Sequence, residues 1–178
     1  MRTFVITGAS SCGKTTLINE LAKRGHPVLH EAARELIGEG KLAPRTAAFQ
    51  NELAARHLAR EAVLRETAAP FCFLDRGAYD NSAFCRYFGF SEPEAIAAQS
   101  HAYDAVFILD SLGDFQLDGV RIESGLAEAL RIKGLIRAEY ESRGIPRVTV
   151  PAMGVKERAD FILEHVHRTT DTARAIGV

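Results

Sequence analysis

The chain has 178 residues, 47% of them hydrophobic and 25% charged, a balance that excludes disorder and suits one globular domain with a full core. With 22 basic against 23 acidic residues the formal net charge is −1, which excludes the broad positive field used to gather nucleic acid or anionic lipid. Apolar runs such as Ala105–Leu109 are far shorter than the roughly 20 residues of a membrane-spanning helix, and Cys12, Cys72 and Cys85 lack the C-x-x-C spacing of a zinc or redox motif.

The opening, MRTFVITGAS, enters a strand at Phe4–Ile6 with no signal-peptide core, so a cytoplasmic protein is expected. That strand leads into Gly8-Ala9-Ser10-Ser11-Cys12-Gly13-Lys14-Thr15-Thr16, and Leu17, Ile18 and Leu21 mark an amphipathic helix behind it. The residues match G-x-x-x-x-G-K-[ST] in the strand-to-helix context the motif requires. Glycines let the loop wrap with positive φ, so that successive N–H groups converge on phosphate oxygens at a helix amino terminus. Lys14 is then placed to reach the β- and γ-phosphates, and the Thr15 hydroxyl to ligate Mg²⁺. The pattern predicts a site for a nucleoside triphosphate, taken as ATP, with Mg²⁺. No N-K-x-D segment supports a guanine base. Reduced thiols are expected at all three cysteines, with oxidative sensitivity of Cys12, which lies in the glycine loop beside a lysine, as the alternative.

Val28–Leu29 forms a second strand that ends just before Glu31 in HEAARELI. Groups at the carboxyl ends of parallel strands face the ligand crevice. Glu31 is therefore a candidate base for an acceptor hydroxyl, with Arg34 about one turn on as a contact for a substrate phosphate or carboxylate. The competing reading makes Glu31 an early helical residue and Arg34 its i+3 ion-pair partner.

A helical pattern runs from Thr46 to Thr67, and Phe71–Leu74 gives a third strand ending in Asp75-Arg76-Gly77. Two short helices, broken around Gly89 and Pro93, fill Asp80 to His101. The fourth strand, Val106–Leu109, also ends in an aspartate, Asp110. Either Asp75 or Asp110 suits a metal-holding carboxylate. Asp75 is preferred because a third strand beside the first would stand it next to the loop, and because Arg76 adds a guanidinium for a transferring phosphate. Asp110 to Gly125 is aperiodic and rich in Gly, Asp and Ser, which marks a lid. Leu126, Leu130 and Tyr140 mark a helix that follows, with Arg131 and Arg137 on it as further cations. Val148–Val150 is a fifth strand, and Val155, Ala159, Ile162 and Val166 set a carboxy-terminal helix. The alternation of strand and helix predicts an α/β domain on a parallel sheet.

Taken in order, GASSCGKTT, EAARELI after the second strand, DRG after the third and DGVR in the lid resemble the small AAA-labelled P-loop ATPase family that groups with nicotinamide riboside kinase domains. The resemblance covers about Arg2 to His167. It implies a three-layer P-loop NTPase with a five-stranded parallel sheet, of nucleoside- and nucleotide-kinase type. More distantly, FQNELAARHLAREA is similar to the Phe-Gln helix of deoxynucleoside kinases, which makes Gln50 a contact for the substrate base. Those kinases carry a carboxylate after the second strand and an acidic-Arg pair after the third. Glu31, Asp75 and Arg76 match those places, although Gly77 stands where Ser or Tyr is usual. In the nicotinamide riboside kinase resemblance, the Asp-Gly-x-Arg segment brings an Arg to the phosphates, here Arg121.

The expectation is an ATP-dependent phosphotransferase acting on a hydroxyl of a nucleoside-like acceptor. Lys14, Glu31, Asp75, Arg76 and Arg121 would be catalytic, Thr15 and Asp75 would hold the metal, and Glu31, Arg34, Gln50 and Arg76 would bind substrate. The alternative is a nucleotide-dependent regulatory ATPase with slow hydrolysis and no small-molecule acceptor. Oligomeric state stays open.

Overall fold

The computed structural model describes residues 1–98, 103–111 and 125–176. In chain order the elements are β1 (Arg2–Gly8), α1 (Lys14–Lys23), β2 (Val28–Leu29), α2 (Ala33–Gly38), α3 (Ala47–Arg65), β3 (Phe71–Asp75), α4 (Ala78–Phe88), α5 (Glu94–Ala97), β4 (Ala105–Leu109), α6 (Leu126–Ser142), β5 (Arg147–Val150) and α7 (Val155–Ile176). The five expected strands form one sheet in the order β2-β3-β1-β4-β5, with every pairing parallel. The segment expected to form a lid falls almost entirely outside the described residues.

The strands read as unbroken apolar runs because both sheet faces are covered. Alternate side chains go opposite ways. Phe4, Ile6, Phe73, Phe107 and Leu109 pack with Leu17, Ile18 and Leu21 of α1 and with Ala159, Ile162 and Val166 of α7. Val5, Leu74, Val106 and Ile108 pack on the other side with Ala54 of α3, Ala83 and Phe84 of α4, and Ile132, Ile136 and Tyr140 of α6. The result is three layers, helix on sheet on helix.

The element ends have local causes. Thr46 caps α3, its hydroxyl accepting the Phe49 N–H at 3.2 Å. Helix α4 stops where Gly89 turns left-handed at φ 77° and the Phe90 N–H reaches back to the Cys85 carbonyl at 2.8 Å. Pro93 then opens α5, so the expected break lies where Gly and Pro put it. All three cysteines are free thiols and buried; burial pushes Cys72 up and Cys85 up to about 11. No helix among the described residues is long and apolar enough to cross a membrane.

Gly77, where the kinase pattern has a larger residue, is set by packing. A Cβ there would lie 2.6 Å from the Tyr140 hydroxyl and 2.9 Å from Val5 Cγ2. Gly77→Ala must therefore shift Tyr140 or β1, and it is expected to destabilise by about 1–3 kcal/mol, read as a lower denaturant midpoint at unchanged m.

Candidate active site

The carboxyl ends of the strands bring the functional candidates to one edge. There the loop after β1 holds Gly8 at φ 148°, Ser11 at 62° and Gly13 at 87°. A Cβ on Gly8 would stand 2.8 Å from Cys12 Sγ and 3.0 Å from the Leu109 carbonyl, so only glycine allows the loop to close against β4. Helix α1 begins at Lys14 with no side-chain cap on its amino terminus. Lys14 is 7% exposed, and its ammonium donates to the carbonyls of Ala9 at 2.9 Å and Gly8 at 3.3 Å. A buried cation resting on carbonyls beside an uncapped helix start is a preformed anion site. Cys12 is fully buried, its sulfur 3.9 Å from Lys14 Nζ.

Asp75, the last residue of β3, pairs in register with Ile6 of β1 and so stands next to the loop. The Thr15 hydroxyl donates to its Oδ2 at 3.3 Å, joining the two residues expected to share a metal. Asp75 is 1% exposed and its Oδ1 has no hydrogen-bond partner. Burial first, then the negative charge of Glu31, push this carboxyl up to about 6 against the pull of Lys14, Arg76 and Thr15. A buried, half-unsatisfied carboxylate beside a hydroxyl is a donor set that fits a hard divalent cation. Asp110 differs: its carboxylate accepts from Lys133 Nζ at 2.9 Å, a salt bridge made without the loop.

Arg76 is held at φ 69°, a conformation disfavoured for any residue with a Cβ, with its N–H bonded to the Ile6 carbonyl at 3.0 Å. That turn swings its guanidinium across the crevice. Nε donates to Glu31 Oε1 at 2.8 Å and Nη1 to Asp80 Oδ1 at 3.1 Å, while the group lies 5.2 Å over the Phe84 ring. Glu31 itself lies two residues before α2 rather than in its first turn. Asp80 is the anchor of this arrangement. Besides Arg76, its carboxylate accepts from the Thr7 hydroxyl, from the Gly77 N–H at 3.1 Å and from the Tyr140 hydroxyl at 2.7 Å. These donors tie β1, α4 and α6 to the position of Arg76 and fill the carboxylate's acceptor sites.

Glu31, Asp75, Arg76 and Asp80 rim an open cavity whose other walls include Leu53, Ala54 and Phe84, with His57 and Asn81 as polar groups. His57 is 8% exposed; its Nε2 stands 3.3 Å from Glu61 Oε2, outside hydrogen-bond geometry. Glu61 is fixed in turn by Arg65 and by the Tyr103 hydroxyl at 3.1 Å. Gln50 does not reach the cavity wall. Its Nε2 donates to the Pro44 carbonyl at 3.2 Å, and its Oε1 accepts from Asn81 Nδ2 at 2.9 Å. Arg34 is exposed in the first turn of α2, and Arg121 lies outside the described residues.

Three residues escape a reading of the sequence: Asp80, His57 and Asn81. The one signal for Asp80 is an acidic residue three past Gly77, a helix-start pattern. His57 sits one turn beyond Leu53 on the same helix face, which periodicity alone reads as core.

Several solved structures share this architecture. The NadR protein in complex with NR superposes with a TM-score of 0.67 at 19% identity, over 94% of this chain and 51% of that one. Thymidylate kinase from Candida albicans gives 0.59 at 14% identity, covering 95% and 92%. Deoxyadenosine kinase from M. mycoides with bound dATP gives 0.52 at 13%, covering 93% and 99%. The chain thus spans about half the length of the NadR chain. No curated protein sequence matches it. A family model described as "AAA domain" matches residues 3–158, most of the chain, and the glycine loop, strand order and Asp75 described above all lie within it: the protein belongs to that AAA domain family and has a P-loop kinase fold.

Proposed function

We propose that the protein transfers the γ-phosphoryl group of ATP to a hydroxyl of a nucleoside-like acceptor. The observation that carries this reading is the convergence of Glu31, Asp75 and Arg76 on the rim of one largely apolar cavity beside the phosphate loop. A loop built only for hydrolysis needs no such cavity. The names of two structural neighbours, a thymidylate kinase and a deoxyadenosine kinase, support phosphoryl transfer to an acceptor of nucleoside or nucleotide type.

In this reading the loop N–H groups and Lys14 bind the triphosphate. Thr15 and Asp75, with its unpartnered Oδ1, would hold Mg²⁺, which would offset the negative charge of the phosphates. Glu31 accepts the proton of the acceptor hydroxyl. That oxygen bonds to the γ-phosphorus as the bond to the β–γ bridging oxygen breaks, and ADP leaves. Arg76 meets the charge on the transferring oxygens, and Arg121 is assigned the same task from the DGVR pattern. The apolar walls hold the acceptor and exclude water, and Asn81, oriented by Gln50, reads its polar edge. Arg34, exposed in the first turn of α2, is assigned a contact to a phosphate or carboxylate of the substrate from its place after the second strand.

The test is ADP release with ribonucleosides, deoxynucleosides, nucleoside monophosphates and sugar alcohols as acceptors. At least one nucleoside should raise release well above the hydrolysis rate. A flat response across the panel removes the kinase reading and leaves a slowly hydrolysing, nucleotide-dependent binding protein.

A further inference from the structure

The phosphate loop is held from below by a residue that no motif contains. Arg158, in the first turn of α7, is 2% exposed and among the largest fully buried side chains. Its guanidinium spans three backbone carbonyls from three parts of the chain. Nε donates to Pro151, just past β5, at 3.0 Å. Nη2 donates to Asp110, just past β4, at 2.8 Å. Nη1 donates to Cys12, inside the phosphate loop, at 2.5 Å.

Two features set this apart from ordinary packing. First, in a planar trans peptide the C=O and the following N–H point in opposite directions. A guanidinium that fixes the Cys12 carbonyl therefore fixes the Gly13 N–H on the opposite side, at the start of α1, the helix whose amino terminus the loop presents to phosphate. Second, the charge stands in an unfavourable place. It lies in the first helical turn, where the helix dipole disfavours cations. Among the described residues no carboxylate comes within 4.0 Å of it. Of the nearby acids, Asp160 pairs with Arg24 and Glu157 with the Gly154 N–H, while the Asp110 carboxylate, bound to Lys133, favours the Arg158 charge only in part against the cost of its burial. A buried cation with only carbonyl partners is costly unless an anion arrives to offset it.

We infer that Arg158 is a positioning residue of the nucleotide site: it clamps the phosphate loop to the ends of β4 and β5, and its buried charge is answered by the polyphosphate of the bound nucleotide. The inference rests on the loop being a triphosphate site, as proposed above. It makes the polyphosphate, rather than the base, the part of the nucleotide that α7 helps to select.

The experiment compares wild type, Arg158→Met and Arg158→Lys by calorimetric titration with MgATP over a series of salt concentrations. Circular dichroism and melting establish that each variant is folded. Arg158→Met should weaken MgATP binding by roughly 10- to 100-fold, as expected for losing charged hydrogen bonds. It should also flatten the salt dependence, because one buried positive charge behind the phosphate loop is gone. Arg158→Lys keeps the charge but cannot span three carbonyls, so affinity should fall while the salt dependence stays. An unchanged MgATP affinity in folded Arg158→Met overturns the inference. So does a loss of affinity with an unaltered salt dependence, which marks a purely structural clamp. Should Arg158→Met fail to fold, wild-type affinity in Arg158→Lys overturns it alone. Wild-type protein that binds no MgATP would instead refute the triphosphate site itself.

Discussion

Glu31→Gln is expected to lower turnover on a phosphoryl acceptor by about 10²- to 10⁴-fold, the usual contribution of a positioned general base. The exchange keeps the shape of the side chain and an oxygen for the Arg76 Nε–H, which Glu31 Oε1 now accepts at 2.8 Å. It removes only the ability to take a proton. MgATP binding, which depends on the loop and Lys14, should stay at the wild-type level. Single-turnover rates and MgATP affinity, measured on one preparation, separate the two effects. Retained turnover would take Glu31 out of the base role and leave it as the anchor of Arg76.

Asp75→Asn should move stability and function in opposite directions. The folded protein holds a proton on Asp75 up to about pH 6, because burial and the neighbouring Glu31 oppose its ionisation. An unfolded aspartate releases its proton near pH 4. Protonation of this raised group therefore supports the fold fully below about pH 4, and the support is lost as pH rises through about 6. At pH 7 the ionised carboxylate costs on the order of 2 kcal/mol. Asparagine removes that term and still accepts from Thr15. The nucleotide-free variant should melt about 4–8 °C above wild type at pH 7, with the gain vanishing near pH 4. It should also lose Mg²⁺-dependent tightening of ATP binding, since the carboxylate that suits the metal is gone. A variant less stable than wild type at pH 7 would make Asp75 a structural hydrogen-bond acceptor instead.

Much of the fold is legible in the amino-acid order because its signals are local. Strands buried on both faces must be apolar throughout, and Phe71–Leu74 and Val106–Leu109 are. The phosphate loop is one contiguous motif, and Gly89 and Pro93 break helices wherever they stand. The third strand's place beside the first, and with it Asp75 next to Thr15, is the order that the likeness to P-loop kinases implies, not one that a local signal sets. What escapes depends on contacts far apart in the chain. Asp80 gains its meaning from Thr7, 73 residues away, and from Tyr140, 60 residues away. Arg158 acts on a carbonyl 146 residues away. Neither leaves a period or a spacing to find. The left-handed turn at Arg76 is equally hidden, because no rule of composition places a non-glycine there. The surroundings of Gln50 are equally non-local: its helix forms as expected, its amide is joined to Asn81 and Pro44, and Asn81 lines the cavity.

Phosphorus NMR of the protein with MgATP and the acceptor panel tests the central claim most directly, because it follows the γ-phosphoryl group itself. The account predicts a new phosphomonoester resonance that grows with ADP at the expense of the γ-phosphate signal, and that disappears in Glu31→Gln. Growth of inorganic phosphate alone, at a rate no acceptor changes, would contradict it.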